Sequence, residues 1–278
     1  VSAMFLYAVL GENSLVRWLW IAGLGLFLAS LFMKNHFDAM ELREESPLFH
    51  GYHTLILFAM LILAFCLRVY RLYDIPLDLR TDMDSVGIIA RDYLLGAEEG
   101  IFGTGLYYYP RIVFLPYVLS MRMVGNNLFG LYFATVIMGT LNVLGTYLFT
   151  WRLFDRHRLA ILAAALITIN PAHINYSRIV SYMDPWFLGF FGLFFFFDGL
   201  KGRRKASLAL AGLFTGFVLV SYPSGRAIIP MIGIGLASAG LYKRKWLTDN
   251  YGGLVWMALG VLVALGPNLI YFITDWSV

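Results

Sequence analysis

Eight apolar runs, over residues 15–33, 54–72, 128–151, 159–171, 183–200, 206–222, 227–242 and 252–273, punctuate the chain, and its charge collects in the connectors between them. Runs that recur so often cannot all hide inside a soluble domain of 278 residues, so lipid must be their solvent. A backbone in hydrocarbon has to satisfy its own N–H and C=O groups, which makes each run a helix. The expected fold is therefore an all-α polytopic membrane protein with eight transmembrane helices. Composition agrees: 60% of residues are hydrophobic, 14% are charged and the mean hydropathy is +0.72, too apolar for a soluble skin. One run near the start would suggest a cleaved targeting peptide; eight exclude that explanation. The single cysteine, Cys66, cannot form an intrachain disulfide, and no Cys or His cluster has zinc-ligand spacing.

Charge then orients the runs. The blocks Arg152/Arg156/Arg158, Lys201/Arg203/Arg204/Lys205 and Lys243/Arg244/Lys245 hold 10 of the 21 basic residues. Each is a short connector between apolar runs, so the blocks report topology and not a nucleic-acid surface. Successive blocks are separated by two runs, which puts all three on one side, and excess Lys and Arg makes that side cytoplasmic. Asp184, at the start of the run over 183–200, is then at the outer mouth of its helix. A carboxylate there suits the unpaired N–H groups of a first turn, and Pro185 suits position N1. Capping and chemistry remain compatible roles for it.

The segment over residues 73–127 is too long for a simple hairpin connection. Its apolar part, 112–124, is interrupted by Pro116 and Arg122. About 13 residues at about 1.5 Å each reach about 20 Å, short of the roughly 30 Å hydrocarbon core, so an outer interfacial or re-entrant helix is expected. Arg111 and Tyr107, Tyr108 and Tyr109 then lie at headgroup depth. That choice puts Asp82 on the same outer side as Asp184. Residues 85–95 read as an amphipathic helix with Asp84 as its natural N-cap, whereas Asp82 has no such periodic role.

Two further outer segments add polar groups. Residues 171–182 carry His173, Asn175 and Arg178, and Tyr222 to Arg226 form a tight turn. Arginine pairs with phosphate through a rigid donor fork, and a carboxylate can deprotonate a hydroxyl or hold a metal. Asp82, Asp184, Arg111, Arg178 and Arg226 would thus suit a lipid phosphate substrate, while headgroup anchoring is the plainer role for each arginine alone.

The ordered motifs point further. Arg68-Val69-Tyr70-Arg71-Leu72-Tyr73-Asp74-Ile75-Pro76, Asp82 with Ala90-Arg91, Tyr109-Pro110, the Phe129-Gly130 region, Tyr147 to Phe154, and Ile169 through Arg178 follow one another. Met183-Asp184-Pro185 and Ser221-Tyr222-Pro223-Ser224-Gly225-Arg226 complete the series. Over residues 55–232 this resembles the membrane glycosyltransferases that use polyprenyl-phosphate sugars, the superfamily of protein O-mannosyltransferases and the lipid A aminoarabinose transferase. The resemblance implies a GT-C-like fold in the cytoplasmic membrane of a prokaryote, with its site facing outward. It implies a polyprenyl-phosphate sugar donor and a hydroxyl acceptor on lipid, glycan or protein. Asp82 falls on the family's first-loop carboxylate, a base or metal-associated group, which makes a divalent ion the candidate cofactor. Asp184 falls on a second acidic position. The family's acidic pair reads Asp82-Met83 here with Asp84 next, and its lysine before proline reads Tyr109 with Arg111 nearby.

These readings give an expected organisation of an extra N-terminal helix and cytoplasmic connector over 1–53, and a GT-C-like portion over 54–278 with its outer loop at 73–127. The leading expectation is inverting glycosyl transfer by Asp82 and Asp184, with Arg111, Arg178 or Arg226 on the leaving phosphate and Asp84, Tyr109, His173 and Tyr222 as auxiliaries. The alternative is a diverged, noncatalytic subunit or scaffold of a larger membrane complex, binding lipids or partners. A transporter is disfavoured, because no inverted repeat is evident.

Overall fold

A computed structural model describes residues 4, 8, 11–31, 51–74, 81–98, 100–105, 110–180, 184–202, 204–221, 223–242 and 244–274. Every regular element among them is helical. We label them α1 (Ser14–Leu31), α2 (Tyr52–Val69), α3 (Thr81–Leu95), α4 (Leu115–Val124), α5 (Leu128–Phe154), α6 (His157–Ile169), α7 (Pro171–Tyr176), α8 (Asp184–Gly202), α9 (Lys205–Leu219), α10 (Ile228–Tyr242), α11 (Arg244–Asp249) and α12 (Tyr251–Thr274), with 3₁₀ turns at Arg111–Phe114 and Pro223–Ala227. Ser14–Leu31, Tyr52–Val69, Leu128–Phe154 and Ser224–Leu241 are long and apolar enough to cross a membrane, and His157–Ile169, Lys205–Leu219 and Tyr251–Gly266 are shorter apolar helices. With α8, they occupy the eight expected runs.

Polar contacts mark the two ends of this bundle. At one, which we call the basic end, Arg152 of α5 pairs through Nε with Asp198 Oδ1 of α8 at 3.0 Å, and Arg204, just before α9, reaches Asp198 Oδ2 at 3.6 Å. Ser207 donates to the same carboxylate. Lys201 donates to the Arg152 and Leu153 carbonyls, at 2.6 and 3.0 Å, and to Asp155, so it satisfies the free C=O groups at the end of α5. The His53 ring lies 5.0 Å from that of His157, which brings the starts of α2 and α6 to this end. The basic blocks at 152–158 and 201–205 therefore do share an end, although Arg152 is an interior ion-pair partner and not a surface charge.

Length does not decide which apolar helix crosses. The helix α6 has only 13 residues, as many as the 112–124 segment expected to stay at the interface. Its start is at the basic end, while Ile167, near its finish, accepts from Arg68 at the other. The helix α4 stays at that second end: Phe114, Tyr117 and Met121 pack with Val86 and Ala90 of α3, the first half of α5, and Ile179 and Val180. The interfacial helix is thus present, shortened to Leu115–Val124 behind a 3₁₀ turn.

Close approach ties α9 to α12. A Cβ on Gly212 would overlap the Met257 backbone carbonyl, so only glycine fits there. Such small-residue seams let helices gain dispersion where lipid supplies no hydrophobic drive between them.

The last helix is broken at Gly266, ahead of Pro267. Pro267 has no N–H to give the Val263 carbonyl one turn earlier. Trp20 of α1 supplies the missing donor, its Nε1 lying 2.8 Å from Val263 O. Trp20→Phe keeps the packing against Phe102 and Phe217 but orphans that carbonyl. We expect it to cost about 1–3 kcal/mol, read as a lower thermal midpoint of the detergent-solubilised chain.

Candidate functional site

The end opposite the basic blocks carries the candidate site. The helix α3 begins at Thr81, four residues earlier than periodicity suggested, so Asp84 is inside its first turn and is not the N-cap. Acidic residues are favoured in the first turn of a helix, where the macrodipole is positive. Asp82 stands one turn before Val86 and two before Ala90, the buried residues of α3, and so shares their register. Asp84 is exposed and lies within electrostatic reach of Tyr132 on α5, whose buried hydroxyl has no hydrogen-bond partner among the described residues.

Asp184 is the first residue of α8, and Phe187, three residues on, packs against the same apolar cluster as Val86 and Ala90. One core therefore seats both carboxylate-bearing helix starts. The side chains of Asp82 and Asp184 lie outside the described residues, as do Tyr109 and Tyr222.

The three arginines differ. Arg178 Nη2 donates to the Tyr70 and Arg71 carbonyls at 2.6 and 3.1 Å, and Nη1 to Leu67 O at 3.4 Å. That is a cap on the free C=O groups ending α2, a role distinct from the phosphate contact expected of it. Arg111 donates to Thr104 O at 3.2 Å and lies 3.8 Å from Glu98. It braces the 98–105 loop, which Glu12 also holds by accepting from the Ile101 and Phe102 amides. Arg226, in the Pro223–Ala227 turn, is exposed and forms no hydrogen bond or ion pair among the described residues.

His173 proves to be a support. Its Nδ1 lies 2.8 Å from Arg68 Nη2, and Ser177 Oγ approaches the same nitrogen at 3.3 Å. Arg68 is fully buried and also donates to Ala64 O at 2.8 Å. A Cβ on Gly139 of α5 would strike Ser177, which is why this layer can close. Arg68 was not among the expected site residues, yet a lone cation in the last turn of an apolar run is itself a signal of a buried polar contact.

Burial, and then the charge of Arg68, lower the His173 pKa from 6.5 to about 4. The neutral ring therefore accepts from the guanidinium. Its depressed folded pKa means that stability is full above pH 6.5 and falls as pH drops towards about 4, because the unfolded ring takes up the proton first. His173→Gln should remove this part of the acid slope, measured as thermal midpoints from pH 7.5 down.

Among the described residues no three His, Cys, Asp or Glu side chains form a group that could hold a metal ion. The sequence pattern of the dolichyl-phosphate-mannose-protein mannosyltransferases matches residues 110–271, more than half of the chain. The chain belongs to this family. It is accordingly a multi-pass membrane protein of a glycosyltransferase family whose sugar donors are lipid-linked. No curated protein and no solved structure matches it significantly. The family match covers Arg111, His173, Arg178, Asp184 and Arg226, and it begins beyond Asp82 and Asp84.

Proposed function

We propose that the chain transfers a glycosyl group from a polyprenyl-phosphate-linked sugar to a hydroxyl acceptor, with inversion, at the outer face of a prokaryotic cytoplasmic membrane. The observation that supports this is the shared core, at the end away from the basic blocks, against which α3 and α8, the helices that begin with Asp82 and Asp184 in their first turns, both pack. In the proposed step the acceptor oxygen attacks the anomeric carbon as its proton passes to the Asp82 carboxylate. The bond from that carbon to the donor phosphate breaks on the opposite face, and the polyprenyl phosphate leaves. Asp184 orients the acceptor. Arg226 meets the charge growing on the phosphate, since its guanidinium is exposed and engaged by none of the described residues.

The test is transfer of radiolabelled sugar from polyprenyl phosphate to acceptors in proteoliposomes holding the full chain. Retention of the label on the donor, across lipid, glycan and protein acceptors, would sink the proposal. A second reading, a noncatalytic subunit or scaffold, is favoured by Met83 in the place of the acidic pair's second member and by a family match that starts only at residue 110. That reading expects no turnover and co-purification with other membrane proteins. Within the catalytic reading, Arg226→Ala should lower kcat about 10²-fold, the order seen when one transition-state donor is lost. Arg226→Lys should restore part of it.

A further inference from the structure

The basic end contains a largely apolar space, rimmed by basic residues, that the proposed reaction leaves unused. A cavity of about 500 Å³ opens there, lined by His53, Arg156, His157, Arg158, Leu159 and Leu162. The described arginines of this end are of two kinds. Arg152 and Arg204 pair with Asp198, whereas Arg156 and Arg158 are exposed and pair with no carboxylate among the described residues. The unpaired ones line the cavity.

One wall is held rigid. The Tyr147 hydroxyl lies 2.9 Å from His157 Nδ1, and the His157 ring stacks on Trp151 at 5.4 Å and on His53 at 5.0 Å. The Nδ1 of His53 is buried and has no hydrogen-bond partner among the described residues. The other wall is apolar: Leu159, Leu162 and Leu166 are exposed at helical spacing along α6, leading from the cavity towards the middle of the bundle. Cationic donors at the start of a crossing helix, continued by an exposed leucine strip, complement a molecule with an anionic head and a hydrocarbon tail.

We propose that this pocket binds the phosphate of an anionic membrane lipid, with Arg156 and Arg158 on the headgroup and an acyl chain along Leu159, Leu162 and Leu166. A free phosphate would use the arginines but gain nothing from the leucines. The site is separate from the transfer site and does not rest on it.

The test uses the full chain, delipidated in detergent, with phosphatidylglycerol or phosphatidylcholine added and retention read by native mass spectrometry. Phosphatidylglycerol should be retained in preference, and Arg156→Ala with Arg158→Ala should weaken that retention roughly thirtyfold, the loss expected for two basic residues beside an anionic headgroup. The paired lysine variant should keep most of it. Both arginines are exposed, so an unchanged thermal midpoint is expected to confirm folding. Equal retention by wild type and the alanine variant overturns the proposal, as does the absence of any preference for phosphatidylglycerol. Displacement of the lipid by inorganic phosphate at equal concentration also overturns it, assigning the pocket to a soluble anion.

Discussion

Asp82→Asn should abolish sugar transfer, lowering kcat by about 10²–10⁴-fold, the range lost when a positioned general base is removed. The chain should still fold, because asparagine keeps the shape and a first-turn position loses only about 0.3–1 kcal/mol of dipole interaction. The companion variant Asp84→Asn makes the test specific. Asp84 is exposed and two positions round the helix from the buried face of α3, whereas Asp82 keeps the register of Val86 and Ala90. We therefore expect Asp84→Asn to stay within about tenfold of wild type, well short of the loss of a base. Full activity in Asp82→Asn, measured by label transfer in proteoliposomes, would falsify its assignment as base. Asp184→Asn adds a separation of roles, since asparagine keeps the shape of the side chain at the helix start while carrying no charge.

Asp198→Ala should destabilise the chain by about 3–5 kcal/mol, because it removes the nearer carboxylate from the buried Arg152 guanidinium and leaves it the more exposed Asp155 at 3.9 Å. Arg152 is 2% exposed and Asp198 is 7% exposed, so water cannot replace the lost partner. The carboxylate also joins three elements, the end of α5 through Arg152, α8 itself, and the start of α9 through Arg204 and Ser207. A double change of Arg152→Met and Asp198→Met should recover much of the loss, since removing both charges removes the desolvation cost as well. Thermal denaturation in detergent distinguishes the outcomes. A double variant as unstable as Asp198→Ala would mean that the polar links to α9, and not the charge balance, hold this end together.

The helical fold and the ordering of the eight apolar runs follow from composition and periodicity, because hydrocarbon leaves the backbone one economical way to satisfy itself. Position along the chain also shows that Asp184 opens a helix and that the basic blocks share an end. Which polar side chains meet is a different matter. Arg68 and His173 are 105 residues apart, and Arg178 reaches carbonyls 107 to 111 residues away. Those partnerships exist only because α2, α5, α6 and α7 become neighbours. For the same reason Arg178 turns out to cap a helix, and Arg152, one of a block legible as topological charge, turns out to be an interior ion-pair partner.

The two carboxylates divide along the same line. The sequence by itself determined that this is a multi-span helical chain with acidic residues away from its basic connectors, since hydropathy and charge are local properties of each run. Only the tertiary structure decided that α3 starts early enough to bring Asp82 into its first turn. It also decided that α3 and the first turn of α8 pack against one apolar cluster. The physical reason is that helix starts and shared cores depend on packing between distant segments, which no local pattern encodes.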